Sequence, residues 1–403
     1  MIKTAKRFNE TVLLLILSAI NFAYILDFVI VMPLGPQLMR IFQIDATQFA
    51  LVVSSYTISA GICGFAGIFF IDRFDRKKAL LTSFGGFALG TLLCALAPDY
   101  LFLLLARIVT GLFGGVISAL VYSIVGDYIP YERRGSAMGK VMAAFAVASV
   151  MGVPAGIWLA AEFSWHTPFL ALGIFSAVVF AAALFGLPPM RIHLQQKQTM
   201  KPWSALKTIL VNPNQLRALV LMMLMMIAGF TVIPFISPFF VANVGMTEME
   251  LVYNYLVGGG FTFISSQIIG RLADRYGKRQ LLVLLCALSI LPILLVTHLG
   301  VTPLPWAVAA STLFFILVSG RSVPGLALIT STVSPENRGS FMSFNSAVQQ
   351  LSAGLATLIA GVIITAGADG KLYDFGWVGI LASAVSILTI PLVRRIKPVE
   401  KEM

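Results

Sequence analysis

Apolar runs about the length of a bilayer crossing recur along the whole chain, separated by short polar segments. They fall at about 11–33, 46–71, 78–97, 100–125, 137–161, 165–188, 216–241, 250–270, 279–299, 304–331, 338–366 and 374–396. A helix rises 1.5 Å per residue, so about 20 apolar residues cross the hydrocarbon. The pattern predicts an all-α polytopic membrane protein with twelve transmembrane helices. Alternation of apolar and polar positions, the mark of a membrane β-barrel, is missing. The tenth and eleventh runs are long enough to continue as helix beyond the hydrocarbon.

Composition removes the other classes. Of 403 residues, 58% are hydrophobic and 11% charged, which cannot solvate a soluble globule and is too apolar for disorder. The net charge of +11 changes meaning once the basic residues are placed. One set of alternate loops and ends carries Lys3, Lys6, Arg7, Arg73, Arg76, Lys77, Lys78, Arg133, Arg134 and Lys140, then Arg191, Lys197, Lys201, Lys207 and Arg217. In the second half it carries Arg271, Arg275, Lys278, Arg279, Arg338, Arg394, Arg395, Lys397 and Lys401. The other set has only Arg40 and Lys371, beside Asp45, Asp99, Glu162, Glu248, Glu250, Asp369 and Asp374. Lys and Arg accumulate on the cytoplasmic side, so both termini are expected to be cytoplasmic in a cell (inner) membrane. That rule accounts for the charge without a nucleic-acid partner. The basic start followed by an apolar run imitates a secretory signal, but no clear small-residue cleavage site follows, and it reads as an uncleaved first crossing.

Enzyme chemistry finds no foothold. Cys63, Cys94 and Cys286 each lie inside a run and form no Cys-x-x-Cys pair, while His166, His193 and His298 have no metal-ligand spacing. There is no phosphate loop, no Ser/His/Asp arrangement and no pair of carboxylates in one run. The expectation is a protein without catalytic activity, metal or cofactor.

The chain repeats itself. Asp72-Arg73-Phe74-Asp75-Arg76-Lys77-Lys78 returns 202 residues later as Asp274-Arg275-Tyr276-Gly277-Lys278-Arg279, and Arg134-Gly135-Ser136-Ala137-Met138 returns 204 residues later as Arg338-Gly339-Ser340-Phe341-Met342. Each half holds six crossings in the same orientation, so the halves form a parallel repeat about an axis along the membrane normal. The expected division is a bundle over 1–188, a cytoplasmic linker over 189–215 and a bundle over 216–403. Within the linker, Trp203, Leu206 and Leu210 beside Lys201 and Lys207 predict a short helix on the inner membrane surface.

Gly270-Arg271-Leu272-Ala273-Asp274-Arg275-Tyr276-Gly277-Lys278-Arg279 resembles the loop signature of the major facilitator superfamily. The first-half copy departs from it, with Ile68 and Asp75 where glycines are expected. Leu104 to Gly114, containing Arg107, looks like the fourth-span arginine motif, with Thr110 in place of the usual glutamine. Gly152-Val153-Pro154-Ala155-Gly156 resembles the glycine-proline motif associated with antiporters, in the form of the drug/proton antiporter and arabinose-efflux-like branch. Asp27 before Pro36 loosely resembles the first-span aspartate motif of proton-coupled exporters. The resemblance implies two six-helix bundles rocking about a cavity lined by spans one, four, seven and ten, in a protein that functions as a monomer. It also implies a cytoplasmic gate at Asp72, Arg73, Arg76, Gly270, Asp274, Arg275, Gly277 and Lys278. In that gate the second-half loop is expected to carry the structural role and either loop the gating.

The residues supply their own argument beside it. Asp27 is the only carboxylate well inside a run, and intramembrane acids usually face a cavity or an ionic partner. Asp27 lies nine residues from Pro36 and Arg107 eight from Asp99, so both sit about 12 to 14 Å below the outer surface. An Asp27–Arg107 interaction that breaks on protonation or substrate arrival makes this the expected proton-coupling pair; a static pair that orients helices is the alternative. Burial and the guanidinium oppose each other in setting the acid's charge state. Arg321 has two readings, recognition of an anion or carbonyl from the cavity, or capping of carbonyls near the inner leaflet. The methionines and phenylalanines of span seven, Met226 and Phe230 among them, suit a deformable apolar binding surface and equally suit helix packing. Asn345 and Gln349, four apart, are substrate hydrogen-bonders or interhelical links. The expected function is proton-coupled export of a small organic compound, the expected partners being protons, that compound and the lipid bilayer. Proton-linked uptake and a non-transporting receptor or scaffold are the alternatives.

Overall fold

The computed structural model describes residues 9–191, 194, 202–334, 338–367 and 369–399. Lys3, Lys6, Arg7, His193, Lys197, Lys201 and Lys401 lie outside them. Among the described residues eleven helical stretches are long and apolar enough to cross a membrane. They are spans one to seven, Glu10–Ile30, Ala46–Gly67, Arg76–Ala95, Tyr100–Tyr128, Arg133–Glu162, His166–Gly186 and Pro213–Val244. Spans nine to twelve follow as Lys278–Thr297, Leu304–Thr330, Arg338–Ile363 and Phe375–Arg395. Glu250–Tyr276 is the twelfth helix, span eight in order, and its 27 residues reach about 40 Å. It is more polar, but Thr262, Ser265 and Ser266 return their hydroxyls to carbonyls three or four residues back. The architecture is twelve helices in two bundles.

The helices start where polar side chains can take the first free N–H groups. Asn9 caps span one, Asp45 and Gln48 make a reciprocal capping box on span two, and Asp99 accepts from the Phe102 N–H at the start of span four. Acids that the charge pattern placed on the less basic side therefore also terminate helices.

Several spans are interrupted in ways the apolar pattern does not reveal. After Ile30 the chain turns and resumes as a separate eight-residue helix, Gly35–Phe42. Span four breaks at Gly115, span seven around Pro234 and span ten at Arg321. Span five contains a π turn over Ala148–Gly152, closed by Val153 N–H to the Ala148 carbonyl. It precedes Pro154, which has no N–H to give the α ladder.

One face, the basic face, carries Arg76, Lys77, Arg191, Arg271 and Arg395. On the opposite face the halves are sealed together. Phe49 of span two meets Phe235 of span seven at 5.7 Å, and Thr47 donates to the Gly361 carbonyl at 2.9 Å. Glu248 accepts from Gln37 at 2.6 Å and from Arg40 at 2.5 Å. Spans two and eleven run against each other, with Gly354 on Ile58 and Gly361 on Ala50. Toward the basic face a cleft opens between spans two, four and eleven, lined by Ala60, Gly64, Gly115, Ala119, Ser343 and Gln350 among others. On the same spans Phe344 stacks edge-on with Phe65, and Phe69 meets Trp203 of the linker helix Pro202–Val211. That helix buries Ile209 and leaves Trp203 and Leu210 exposed.

Candidate functional site: a buried ion pair between spans one and four

Span four is drawn tightly against its neighbours by glycines. A Cβ on Gly111 would lie 2.3 Å from the Tyr56 carbonyl oxygen, and one on Gly90 would lie 2.5 Å from Thr110 Oγ1. Thr110, where the family pattern has glutamine, packs into that contact and donates to the Ala106 carbonyl at 2.7 Å. This close packing carries Arg107 into the middle of the first bundle.

There Arg107 Nη1 donates to Asp27 Oδ2 at 2.6 Å, with the side chains 1% and 0% exposed. Thr91 of span three donates to the other oxygen, Oδ1, at 3.0 Å. The Arg107 guanidinium lies over the Tyr56 ring, 4.3 Å from its centroid. A pair this dry is held by its partners: removing one leaves an uncompensated charge and costs about 3 to 5 kcal/mol. Two donors at the site remain unused, Arg107 Nε and Tyr56 Oη. Thr91 and Tyr56 carry no signal in the sequence, being one threonine and one tyrosine among many in apolar runs.

The rings continue across to the second half. Tyr56 stacks on Phe28 at 5.8 Å, and Phe28 stacks on Phe230 of span seven at 5.8 Å. Phe230 is thus joined to the ion pair through two aromatic neighbours. Met226 is buried in a cluster with Met222, Phe341 and Phe344, against which Phe230 also packs.

The remaining candidates are dispersed. Arg321, 1% exposed, donates to the Val318 carbonyl and to the hydroxyls of Ser289 and Ser386 at 3.3 and 2.9 Å. It lies inside the second bundle between spans nine, ten and twelve, and no carboxylate pairs with it among the described residues. Asn345 is buried with its Oδ1 unpartnered, Gln349 is exposed, and the adjacent Gln350 donates to Tyr24 Oη of span one at 2.7 Å.

At the basic face the two repeated loops differ. Arg76 bonds Asp72 at 2.5 Å and Asp127 at 3.2 Å. Asp127, at the end of span four, was not among the sequence candidates. Asp75 accepts from the Met190 N–H at 3.1 Å, from Arg191 at 2.9 Å and from the Lys77 N–H at 2.9 Å. Burial alone would raise its carboxyl, but these bonds outweigh it and hold the group below the ordinary carboxylate range. In the second half, Gly277 adopts φ +92°, which only glycine takes without strain; Asp75 at the matching place has φ −55°. Asp274 is exposed and has no ion pair among the described residues, Gly270 approaches Val323, Arg275 lies over the Tyr276 ring, and Arg73 and Lys278 are exposed.

In span five, Gly152 packs on Leu26 and Gly156 on Ile30 of span one. Gly259 of span eight fits against the π turn, its Cβ position 2.8 Å from the Ser149 carbonyl oxygen. The motif residues Gly152, Pro154 and Gly156 thus lie in a helix that touches span one on one side and the second bundle on the other.

The comparisons with known proteins agree with this architecture. The chain is 28% identical over 372 residues to the uncharacterized MFS-type transporter YwfA of Bacillus subtilis, covering 89% of this chain and 85% of that one. It is 26% identical to the inner membrane transport protein YdhP of Escherichia coli, covering 90% of each chain. A probable sugar efflux transporter of Mannheimia succiniciproducens is 22% identical, over 86% of this chain and 85% of that one. Among solved structures, the nucleoside transporter NupG superposes with a TM-score of 0.72 at 14% identity, covering 95% of this chain and 99% of that one. A bacterial homologue of the human lysosomal transporter Spinster gives 0.73 at 16% identity, covering 98% and 95%. A profile described as MFS/sugar transport protein matches residues 259–394. With the profile of the superfamily itself matching residues 17–324, over twelve helices in two bundles, the chain belongs to the major facilitator superfamily of membrane transporters.

Proposed function

We propose that this transporter exports a small organic compound in exchange for protons, with Asp27 as the proton-binding group and Arg107 as its partner. The observation that carries the reading is the ion pair itself: a fully buried carboxylate, hydrogen-bonded at both oxygens, with a single cation beside it. Protonating Asp27 cancels the attraction and leaves Arg107 without a counter-charge in a dry bundle, a large electrostatic change from one proton. The Tyr56, Phe28 and Phe230 stack supports a path by which that change reaches the second half, because it runs from Arg107 to span seven.

With the basic face cytoplasmic, the sealed face is the outer one and the cleft opens inward. The compound enters between the bundles and contacts Phe230, with Met226 in the cluster packed against it and Asn345 buried on span eleven. Arg321, satisfied by three neutral acceptors inside the second bundle, serves packing in this reading. The gate on the basic face is carried by Asp72, Arg76 and Asp127, where the ion pairs are, with Asp274, Arg275 and Lys278 in the matching loop. The name of the Mannheimia relative supports export as the direction.

The experiment is collapse of an imposed pH gradient in proteoliposomes, screened over sugars, nucleosides and apolar drugs. Release of protons by a compound through the wild type and not through Asp27→Asn is expected. Equal responses from both proteins would remove Asp27 from the coupling role.

A further inference from the structure

The buried acid needs a way to reach water, and the structure assigns one toward the basic face. We propose that protons pass between Asp27 and the cleft along the hydroxyls of Tyr56 and Tyr24, with Gln350 of the second half holding the last of them. The proposal rests on Asp27 being the coupling acid.

Tyr56 is 0% exposed and its hydroxyl has no partner, an arrangement that costs roughly 1 to 3 kcal/mol unless a partner is present for part of the cycle. Its ring covers Arg107, and its hydroxyl packs against Gly114. A Cβ at Gly114 would lie 3.0 Å from Tyr56 Oη and 3.5 Å from Tyr24 Cε2, so the two tyrosines converge there. Tyr24 lies three residues before Asp27, about one turn away on the same helix. It is only partly buried, its hydroxyl takes the Gln350 amide at 2.7 Å and also bonds Ser118, and Gln350 lines the cleft. The order of groups is therefore Asp27, Tyr56, Tyr24 and cleft.

The step conserves charge along the way. The Asp27 O–H bond breaks as its proton passes, by way of a transient water, to Tyr56. Tyr56 and Tyr24 each accept one proton on oxygen and pass on their own. A cleft water receives the last one, and the carboxylate left behind pairs with Arg107. Neither tyrosine ends charged. Because Gln350 comes from the opposite bundle, rocking withdraws it from Tyr24 and breaks the line, so the route is open only while the bundles hold the arrangement seen here.

The test needs no transported compound. Purified protein is subjected to a stopped-flow pH jump with pyranine reporting proton uptake and release, and the Asp27 phase is defined as the part missing in Asp27→Asn. Tyr56→Phe and Tyr24→Phe keep both rings and remove the hydroxyls. Each is expected to slow that phase by about tenfold, the rate equivalent of one buried hydrogen bond, with the thermal midpoint preserved in Tyr56→Phe, whose hydroxyl has no partner to lose. Gly114→Ala, whose methyl would press on Tyr56 Oη at 3.0 Å, is expected to slow it likewise. An Asp27 phase of unchanged rate in both phenylalanine variants overturns the route while leaving Asp27 as the coupling acid. Absence of any difference between wild type and Asp27→Asn overturns the coupling reading, and the route with it.

Discussion

Thr91 donates to Asp27 Oδ1 while Arg107 holds Oδ2, so span three completes the occupancy of a carboxylate that spans one and four bring together. A hydrogen bond to a charged group contributes about 1.5 to 3 kcal/mol. Thr91→Val keeps the shape and removes the bond. It is expected to lower the thermal midpoint and impair proton-linked transport, whereas Thr91→Ser restores both; equal behaviour of the valine and serine variants would deny the hydroxyl this role.

Arg321 gives the opposite expectation from Arg107. Its serine partners already donate to their own helix carbonyls, Ser289 to Cys286 and Ser386 to Ala382. Removing the guanidinium leaves them satisfied, and replacing a buried charge by an apolar chain of similar size is often neutral or stabilising. Arg321→Met should keep or raise the thermal midpoint in detergent, while Arg107→Met should lower it sharply. A collapse of Arg321→Met would show that the charge itself holds the second bundle together.

Glu248 joins the halves on the sealed face through Gln37 and Arg40. The Arg40 side chain is 64% exposed, so the pair contributes roughly 1 kcal/mol or less and is weakened by salt. Glu248→Gln is expected to raise labelling of a cysteine placed at Thr47 a few-fold, with the gain shrinking in high salt. Unchanged labelling at low salt would mean the glycine contacts alone seal this face.

Those contacts are the stiffer part. A Cβ on Gly361 would lie 2.3 Å from Ala50 Cβ and 2.9 Å from the Ala46 carbonyl oxygen, and backbone cannot yield as a flexible side chain can. Gly361→Val should hold spans two and eleven apart, giving strong labelling at a Thr47→Cys site and slow transport. Normal transport by this variant would count against the seal seen here being part of the cycle.

Asp75 fixes a pH window. Its carboxyl is held below its ordinary 3.8 because the bonds from Met190, Arg191 and Lys77 outweigh the opposing effect of burial. A folded-state pKa that is depressed contributes stability present in full above the unfolded value and lost as pH falls through the folded one. The gap in thermal midpoint between wild type and Asp75→Asn should be constant at neutral pH and close as pH drops below 3.8. A gap independent of pH would mean the carboxylate charge contributes nothing.

Much of the fold was legible because crossing a bilayer imposes length and apolarity on every span, and the repeated Asp-Arg loops exposed the duplication. Asp27 and Arg107 were legible for a related reason: charge is rare at that depth, and rise per residue places both at one level. Thr91, Tyr56 and Tyr24 were not, since hydroxyls are common in apolar helices and only packing decides which of them face an ion. The loop at Asp75 departs from the pattern for a conformational reason. Its glycine counterpart needs positive φ and the aspartate does not, so the departure from the pattern marks a different turn with its own anchor at Met190 and Arg191. Depth left Arg321 with two readings, cavity recognition or capping, and packing alone reveals its bonds to the Val318 carbonyl, Ser289 and Ser386.

The π turn before Pro154 has a consequence for how span five must be read. An extra residue in one turn shifts the phase of everything beyond it by about 100° relative to a straight α-helix. A helical wheel drawn through the whole span therefore assigns the wrong faces to one half of it. Substitution scans across residues 133–162 should be interpreted as two short helices with separate phases, one ending at Val147 and one beginning at Val153, and a periodicity fitted across both would blur a signal that each half carries cleanly.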